Sequence, residues 1–332
     1  GTLRDGFSTY FANFNRNKRS VVLDLYRDEG RAALRQLLAG ADVLVENYRP
    51  GTLARMGLDR DSLQTINPRL VVASVNGYGS TGPYTDRPAF DFVVQAMSGY
   101  MSVSGSPESP MRAGPPVTDL VAGIYAALGV VAALRARDRD GTGQAVEVSL
   151  MNGAISLLAY LASEFFVTGR VPARTGNDHP LVAPYGLYRT ADGEIAVAPS
   201  NDTILQRFLG AIGLGDLLAD PRFDTNPKRF DRRPQLGAMI EERLATDTRD
   251  NWIERLNAAG VPCGRVQDIA DVFADPQVQA QEMRIEVEHP GIGPVPMLGF
   301  PIKLDATPCR VRHPAPGLGA HSEEILGRRK ET

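Results

Sequence analysis

Residues 42–75 read DVLVENYRPGTLARMGLDRDSLQTINPRLVVASV, and the spacing of their apolar residues decides the fold. Asp42-Val43-Leu44-Val45-Glu46 and Leu70-Val71-Val72-Ala73-Ser74-Val75 are short, β-branched runs, which predicts two strands. Between them, residues 51–57 and 61–66 read as short helices. Upstream, residues 20–25 (SVVLDL) are again β-rich, and residues 28–39 place Ala32, Leu34, Leu37 and Leu38 at helical spacing. A β-α-β-α-β order calls for parallel strands joined by helical crossovers, an α/β sheet. Strands this apolar are expected to be buried on both faces.

Working outward, residues 77–88 and 102–116 are Gly/Pro/Ser-rich and read as loops around a helix at 90–100. A long helix starts at Thr118 and ends before the turn Asp138-Arg139-Asp140-Gly141-Thr142-Gly143. Residues 144–150 (QAVEVSL) alternate as a strand. Near Pro184 the texture changes. Asp192-Gly193 sits between two β-rich runs within 185–199, a hairpin signal. Helices follow at 202–212, 234–245 and 249–259, then an extended piece at 263–266 and helical turns over 267–282. Residues 291–332 are Pro-rich and extended, then helical.

The 332 residues are 43% apolar and 23% charged, enough for real cores and unlike a disordered chain. A net charge of −3 and the lack of a basic block argue against nucleic-acid backbone binding. The tail Arg328-Arg329-Lys330 reads as a solvated helix end. The apolar runs 120–134 and 154–167 read as buried core helices, because the first is too short to span a bilayer and the second carries Ser156, Ser163 and Glu164. No secretory signal is visible. Gly1-Thr2-Leu3-Arg4-Asp5-Gly6 looks like neither a native start nor a targeting signal, so the chain is expected to begin partway into a domain. Cys263 and Cys309 have no metal-ligand spacing and fit a reducing cytosol.

The chemistry centres on Pro115-Pro116-Val117-Thr118-Asp119-Leu120-Val121-Ala122-Gly123. Asp119 stands at the mouth of the long helix. Thr118 or Asp119 can cap that helix, and a carboxylate can equally serve as a covalent nucleophile. The two readings are compatible, since a helix N-terminus favours an ionised carboxylate. Asn47-Tyr48-Arg49-Pro50-Gly51 follows a strand directly, where α/β sheets bind ligands. Its Asn amide and Tyr ring can hold an adenine-containing molecule, or simply cap a helix before a turn. Gly141-Thr142-Gly143 and Gly317-Leu318-Gly319 lack a phosphate-loop Lys and read as turns. His179, His289, His313 and His321 are scattered, with no metal spacing, and no Ser nucleophile elbow is present.

These motifs occur in an order that resembles the class III CoA-transferases. That family includes formyl-CoA transferase, carnitine CoA-transferase and α-methylacyl-CoA racemase. The resemblance runs through Asn15-Arg16-Asn17-Lys18-Arg19-Ser20-Val21-Val22-Leu23-Asp24-Leu25, Ala41-Asp42-Val43, Glu46-Asn47-Tyr48-Arg49-Pro50-Gly51 and Asn67-Pro68-Arg69. It continues through Gly77-Tyr78-Gly79, Gly82-Pro83-Tyr84, Phe90-Asp91, Gln95-Ala96 and Gly141-Thr142-Gly143-Gln144, then Val261-Pro262-Cys263-Gly264 and Ala315-Pro316-Gly317-Leu318-Gly319.

The resemblance implies an α/β fold with a Rossmann-like large domain and its parallel sheet over residues 1–183. A smaller α+β domain would span 184–290, with 291–332 returning to the large domain of an interlocked homodimer. It implies that Asp119 is the catalytic aspartate. It implies that Asn47, Tyr48, Arg55, Met56 and Leu23 line the CoA groove, that Lys18 and Arg19 lie in the cofactor-side loop, and that Tyr78 and Leu150 border the thioester channel. Acyl-CoA is then a substrate, with no prosthetic group, metal, nucleic acid or membrane partner, in the cytoplasm. Oxyanion stabilisation by N–H groups of residues 77–79 is a further expectation.

Racemases of the family resemble a His-Asp pair where this chain has Phe90-Asp91. Phenylalanine exchanges no proton, which favours acyl transfer over racemisation. The alternatives are a racemase or epimerase and a truncated, non-catalytic CoA-binding subunit. Two features depart from the family: its first strand and helix are not present, and its glycine-rich flap is not evident between Asn177 and Gly186.

Overall fold

The computed structural model describes residues 3, 4 and 7–327. Residues 1, 2, 5 and 6 and the basic tail from Arg328 lie outside the described residues. The chain divides into two units, Gly1–Leu37 with Gln267–Thr332, and Leu38–Val266.

In the second unit, strands Val43–Glu46, Val71–Asn76 and Ala145–Ser149 form a parallel sheet with Val71–Asn76 in the middle. Val43 lies opposite Val71, Val72 opposite Ala145, and Asn76 opposite Ser149. The α/β class and the parallel sheet are therefore as the sequence predicts. The helix Val117–Asp140 is the crossover onto the last strand. Its small residues explain how close it lies. Ala122, Ala126 and Ala133 are buried, and a Cβ on Gly129 would meet Val146 Cγ1 at 2.7 Å. Its far end is fixed by Arg137, whose guanidinium donates to Asp42 at 2.8 Å, and by Gly141, a left-handed cap at φ 79°.

The burial expected of the two apolar helical runs is not what the structure holds. On the long helix, Ile124, Leu128 and Val131 are 66%, 63% and 64% exposed, with Leu120 beside them. The alanine face is used against the sheet, and the leucine/isoleucine face is left bare. The second run divides into Leu150–Ser156 and Ala159–Thr168, bent by 75°, and Phe166 and Val167 are exposed. By length and composition alone Val117–Asp140 would suffice to cross a membrane.

Later in this unit Gly186–Arg189, Glu194–Val197 and Cys263–Arg265 form an antiparallel sheet, with the expected Asp192-Gly193 turn. It packs on helices through Ile195, Phe208, Phe223, Leu236, Ile240 and Trp252. The Trp252 indole N–H donates to Leu244 O at 2.8 Å, satisfying the one polar atom that ring buries.

In the first unit, Arg284–His289 and Gly293–Leu298 form a hairpin whose Val287, Val295 and Met297 bury Ala12 of the helix Thr9–Asn15. Residues 20–25 are not a strand. Their backbone groups are taken by the C-terminal segment: Ser20 N–H donates to His321 Nδ1 (3.1 Å), Ser20 O accepts from His321 N (3.0 Å), and Val22 N–H donates to Ser322 Oγ (3.0 Å). The β-propensity of SVVLDL is real, but side-chain acceptors satisfy these donors instead of a ladder. Asn17, at φ 64°, clips the same segment. Its Oδ1 accepts from Arg312 N and its Nδ2 donates to Arg310 O at 2.8 Å.

Candidate active site

The carboxyl ends of the three parallel strands release the chain at Asn47, Gly77 and Leu150. Asn47, Tyr48 and Tyr78 line one cleft of about 230 Å³, together with Arg49, Arg87 and Phe90. The cleft is braced. Met151 N–H donates to Gly77 O at 3.1 Å, tying the helix that starts at Leu150 to the Tyr78 loop. A Cβ on Gly77 would collide with Ala89 Cβ, so only glycine lets these walls meet. Tyr78 OH donates to Met97 Sδ at 3.3 Å, and the Arg87 guanidinium lies 3.7 Å over the Tyr84 ring.

Asn47 caps no helix here. The turn of helix Thr52–Arg55 is entered through Gly51 at φ 78°. Arg55 donates to Thr52 Oγ1 at 2.8 Å, and Met56 closes the same turn. Gly79 N–H donates to Asn76 Oδ1 at 2.5 Å. That donor is committed, which removes it from the oxyanion role expected for residues 77–79. A larger cavity of about 400 Å³ on the sheet, under Arg60, Leu63 and Val72, includes neither Asp91 nor Asp119.

Lys18, Arg19 and Leu23 belong to the first unit. There Lys18 Nζ donates to Asn15 Oδ1 at 3.0 Å and Arg19 pairs with Glu324 at 2.7 Å.

Asp119 sits in the first turn of the long helix, whose N-cap is Pro116 and which has no side-chain cap of its own. The capping work falls to Asp91, 9% exposed, at the head of helix Asp91–Met97. Asp91 Oδ1 accepts from Thr118 N and Thr118 Oγ1, both at 2.9 Å. Its Oδ2 accepts from Gln95 Nε2 at 2.8 Å, and Gln95 Oε1 accepts from Ala113 N at 2.8 Å.

Neither Thr118 nor Asp119 is the helix cap, so the Asp119 carboxylate is left without a hydrogen bond or ion pair among the described residues. Asp119 is exposed, but desolvation by the protein on one side of it, and after that the Asp91 charge, push its carboxyl above the ordinary aspartate range. These two causes oppose the helix dipole, which alone would favour the ionised form.

Sequence reasoning named Asp91 and Gln95 as family landmarks without a role and missed the relay through Thr118. Their i,i+4 spacing was the available signal, since it puts both side chains on one helix face. Phe90, next to Asp91, is 80% exposed and contributes no titratable atom. Among the described residues no group of His, Cys, Asp and Glu converges as a metal site.

A sequence profile of CoA-transferase family III matches residues 2–322. A succinate–glutarate CoA-transferase of Agrobacterium fabrum is 37% identical over 320 residues, 96% of this chain and 80% of that protein. An acetyl-CoA:oxalate CoA-transferase of Acetobacter aceti is 37% identical over 327 residues, 98% of this chain and 82% of that protein. Among solved structures, a CaiB/BaiF family protein from Brucella suis superposes with TM-score 0.83 at 37% identity, covering 98% of this chain and 85% of that one. A Mycobacterium tuberculosis protein superposes with TM-score 0.86 at 29% identity, covering 96% of this chain and 85% of that one. The chain belongs to CoA-transferase family III.

Proposed function

We propose that this enzyme moves CoA from an acyl-CoA donor to a carboxylic acid acceptor through covalent intermediates on Asp119. The single observation that carries this reading is a partnerless carboxylate, held in the first turn of a rigidly capped helix and raised in basicity by its surroundings. An Asp119 oxygen attacks the donor thioester, the C–S bond breaks, and CoA leaves as thiolate. The thiolate attacks the aspartyl carbonyl of the mixed anhydride, releasing the donor acid and leaving an aspartyl-CoA thioester. The acceptor carboxylate attacks that thioester and expels the thiolate again. The thiolate then attacks the new acyl carbonyl, which yields the product acyl-CoA and restores Asp119.

No step needs a proton relay. That agrees with Phe90 beside Asp91, and it is why this reading is preferred to racemisation. Asn47, Tyr48 and Tyr78 would hold the CoA moiety in the cleft, with Arg49 and Arg87 supplying charge for its phosphates. Arg55, Met56 and Leu150 would border the same groove.

The bare Leu120–Ile124–Leu128–Val131 stripe repeats at helical spacing and is covered, in this proposal, by a second copy of the chain. Two free thiols suit the cytoplasm. The test is Asp119→Ala, assayed for acyl-CoA product and, separately, by calorimetry for CoA binding. Turnover falls by about 10⁴-fold or more while CoA still binds. Turnover retained at wild-type level would remove the nucleophile from the mechanism.

A further inference from the structure

The face of the parallel sheet away from the long helix carries two carboxylates in one row. Glu46 lies in register with Ser74, and Ser74 with Glu147, so the carboxylates flank a serine across three strands. Val146 faces the long helix, which turns the next residue, Glu147, to the opposite side of the sheet. Glu147 is exposed, and it has no ion pair among the described residues. It spends both oxygens on hydrogen bonds instead. Oε1 accepts from Asn76 Nδ2 at 2.7 Å, and Oε2 accepts from Ser80 Oγ at 2.8 Å.

Both partners belong to the loop that carries Tyr78. Asn76, 9% exposed, uses its other end to accept from Gly79 N at 2.5 Å. Gly77 O is held from the far side by Met151 N at 3.1 Å. The backbone is therefore pinned on either side of Tyr78, and Glu147 anchors two of the pins without lining the cleft itself. Glu46 repeats the device on the neighbouring strand, where its Oε2 accepts from Tyr48 N at 2.7 Å. A wall fixed in advance loses less conformational freedom when a ligand binds, and that saving appears as affinity. Glutamate is a poor strand former, so its place in this strand is better explained by the loop than by the ladder.

We propose that Glu147 is a positioning residue for acyl-CoA, fixing Tyr78 in the cleft through Asn76 and Ser80. The inference rests on the reading of that cleft as the CoA site and adds a residue outside it. Calorimetry measures CoA affinity for the wild type, Glu147→Leu, Glu147→Gln, Tyr78→Ala and the Glu147→Leu/Tyr78→Ala double variant. Hydrogen exchange follows the Gly79 amide in the same proteins. Leucine keeps the bulk and removes both oxygens; because Glu147 is exposed, the core stays closed. Glutamine rebuilds the clamp, since its Oε1 accepts from Asn76 and its amide donates to the Ser80 hydroxyl.

The CoA Kd is expected to rise about 10-fold in Glu147→Leu, to stay within about 2-fold in Glu147→Gln, and to rise no further when Glu147→Leu is added to Tyr78→Ala. The Gly79 amide exchanges about 10-fold faster in Glu147→Leu alone. Where Tyr78→Ala weakens CoA binding, an unchanged Kd in Glu147→Leu, equal losses with leucine and glutamine, or full additivity with Tyr78→Ala overturns the proposal. If Tyr78→Ala binds CoA as the wild type does, it is the reading of the cleft that fails. The clamp is then judged by exchange: acceleration confined to Glu147→Leu upholds Glu147 as the anchor of the Tyr78 loop, and unchanged exchange refutes it.

Discussion

Asp91→Asn is the change that separates the cap from the charge. Asp91 accepts three hydrogen bonds, at 2.9, 2.9 and 2.8 Å, and is buried. The asparagine oxygen can still face Thr118, but its amide then meets the Gln95 amide, donor against donor. Turning Gln95 over repairs that contact and breaks the bond to Ala113 N. One hydrogen bond is lost either way, and those that residue 91 keeps lose their charge assistance, a cost of about 1.5–3 kcal/mol in stability.

The second consequence is electrostatic. Asp91 is the lesser of the two causes that raise Asp119, after desolvation. Removing its charge lets the Asp119 carboxyl ionise at lower pH, so the acidic limb of the kcat/KM profile moves down in pH. It moves only part of the way to an ordinary aspartate, because desolvation remains. The assay is kcat/KM against pH for Asp91→Asn beside the wild type, with thermal unfolding on the same samples. A limb that stays in place or moves up refutes the carboxylate coupling. An unchanged Tm refutes the assignment of Asp91 as the cap.

Two more predictions rest on packing. Gly77→Ala places a methyl against Ala89 and costs about 1–3 kcal/mol while raising the KM for acyl-CoA; Ala89→Gly in the same chain restores both, and no recovery would disprove the contact. Ile124→Asp with Leu128→Asp puts two charges on the bare stripe. Light scattering should show a wild-type dimer and a monomeric variant, and a monomeric wild type would end the proposal that a second copy covers this face.

The parallel sheet was legible because residues 42–46, 70–75 and 144–150 carry their pattern locally, and backbone pairing follows from it. Residues 20–25 misled for the opposite reason. Their partners, His321 and Ser322, lie some 300 positions away, and a propensity window sees no such contact. The long helix misled differently. Its two faces, alanine and leucine/isoleucine, look equally apolar in sequence, yet only the small one fits against Val146 and the sheet.

The same logic explains the site. The sequence offered Asp119 as cap or nucleophile, and the choice turns on who satisfies Thr118 N–H. That donor is served from a separate helix, by a residue 27 positions earlier. Once Asp91 takes the structural task, the helix start no longer needs the Asp119 oxygens. A carboxylate relieved of capping, partly desolvated on its protein side and held beside a second negative charge is less favoured as an anion than a free aspartate. Acylation removes that charge altogether. In the mechanism proposed above, the same interactions that raise the carboxyl would favour the covalent intermediate over the free carboxylate, and Asp91→Asn should weaken both together.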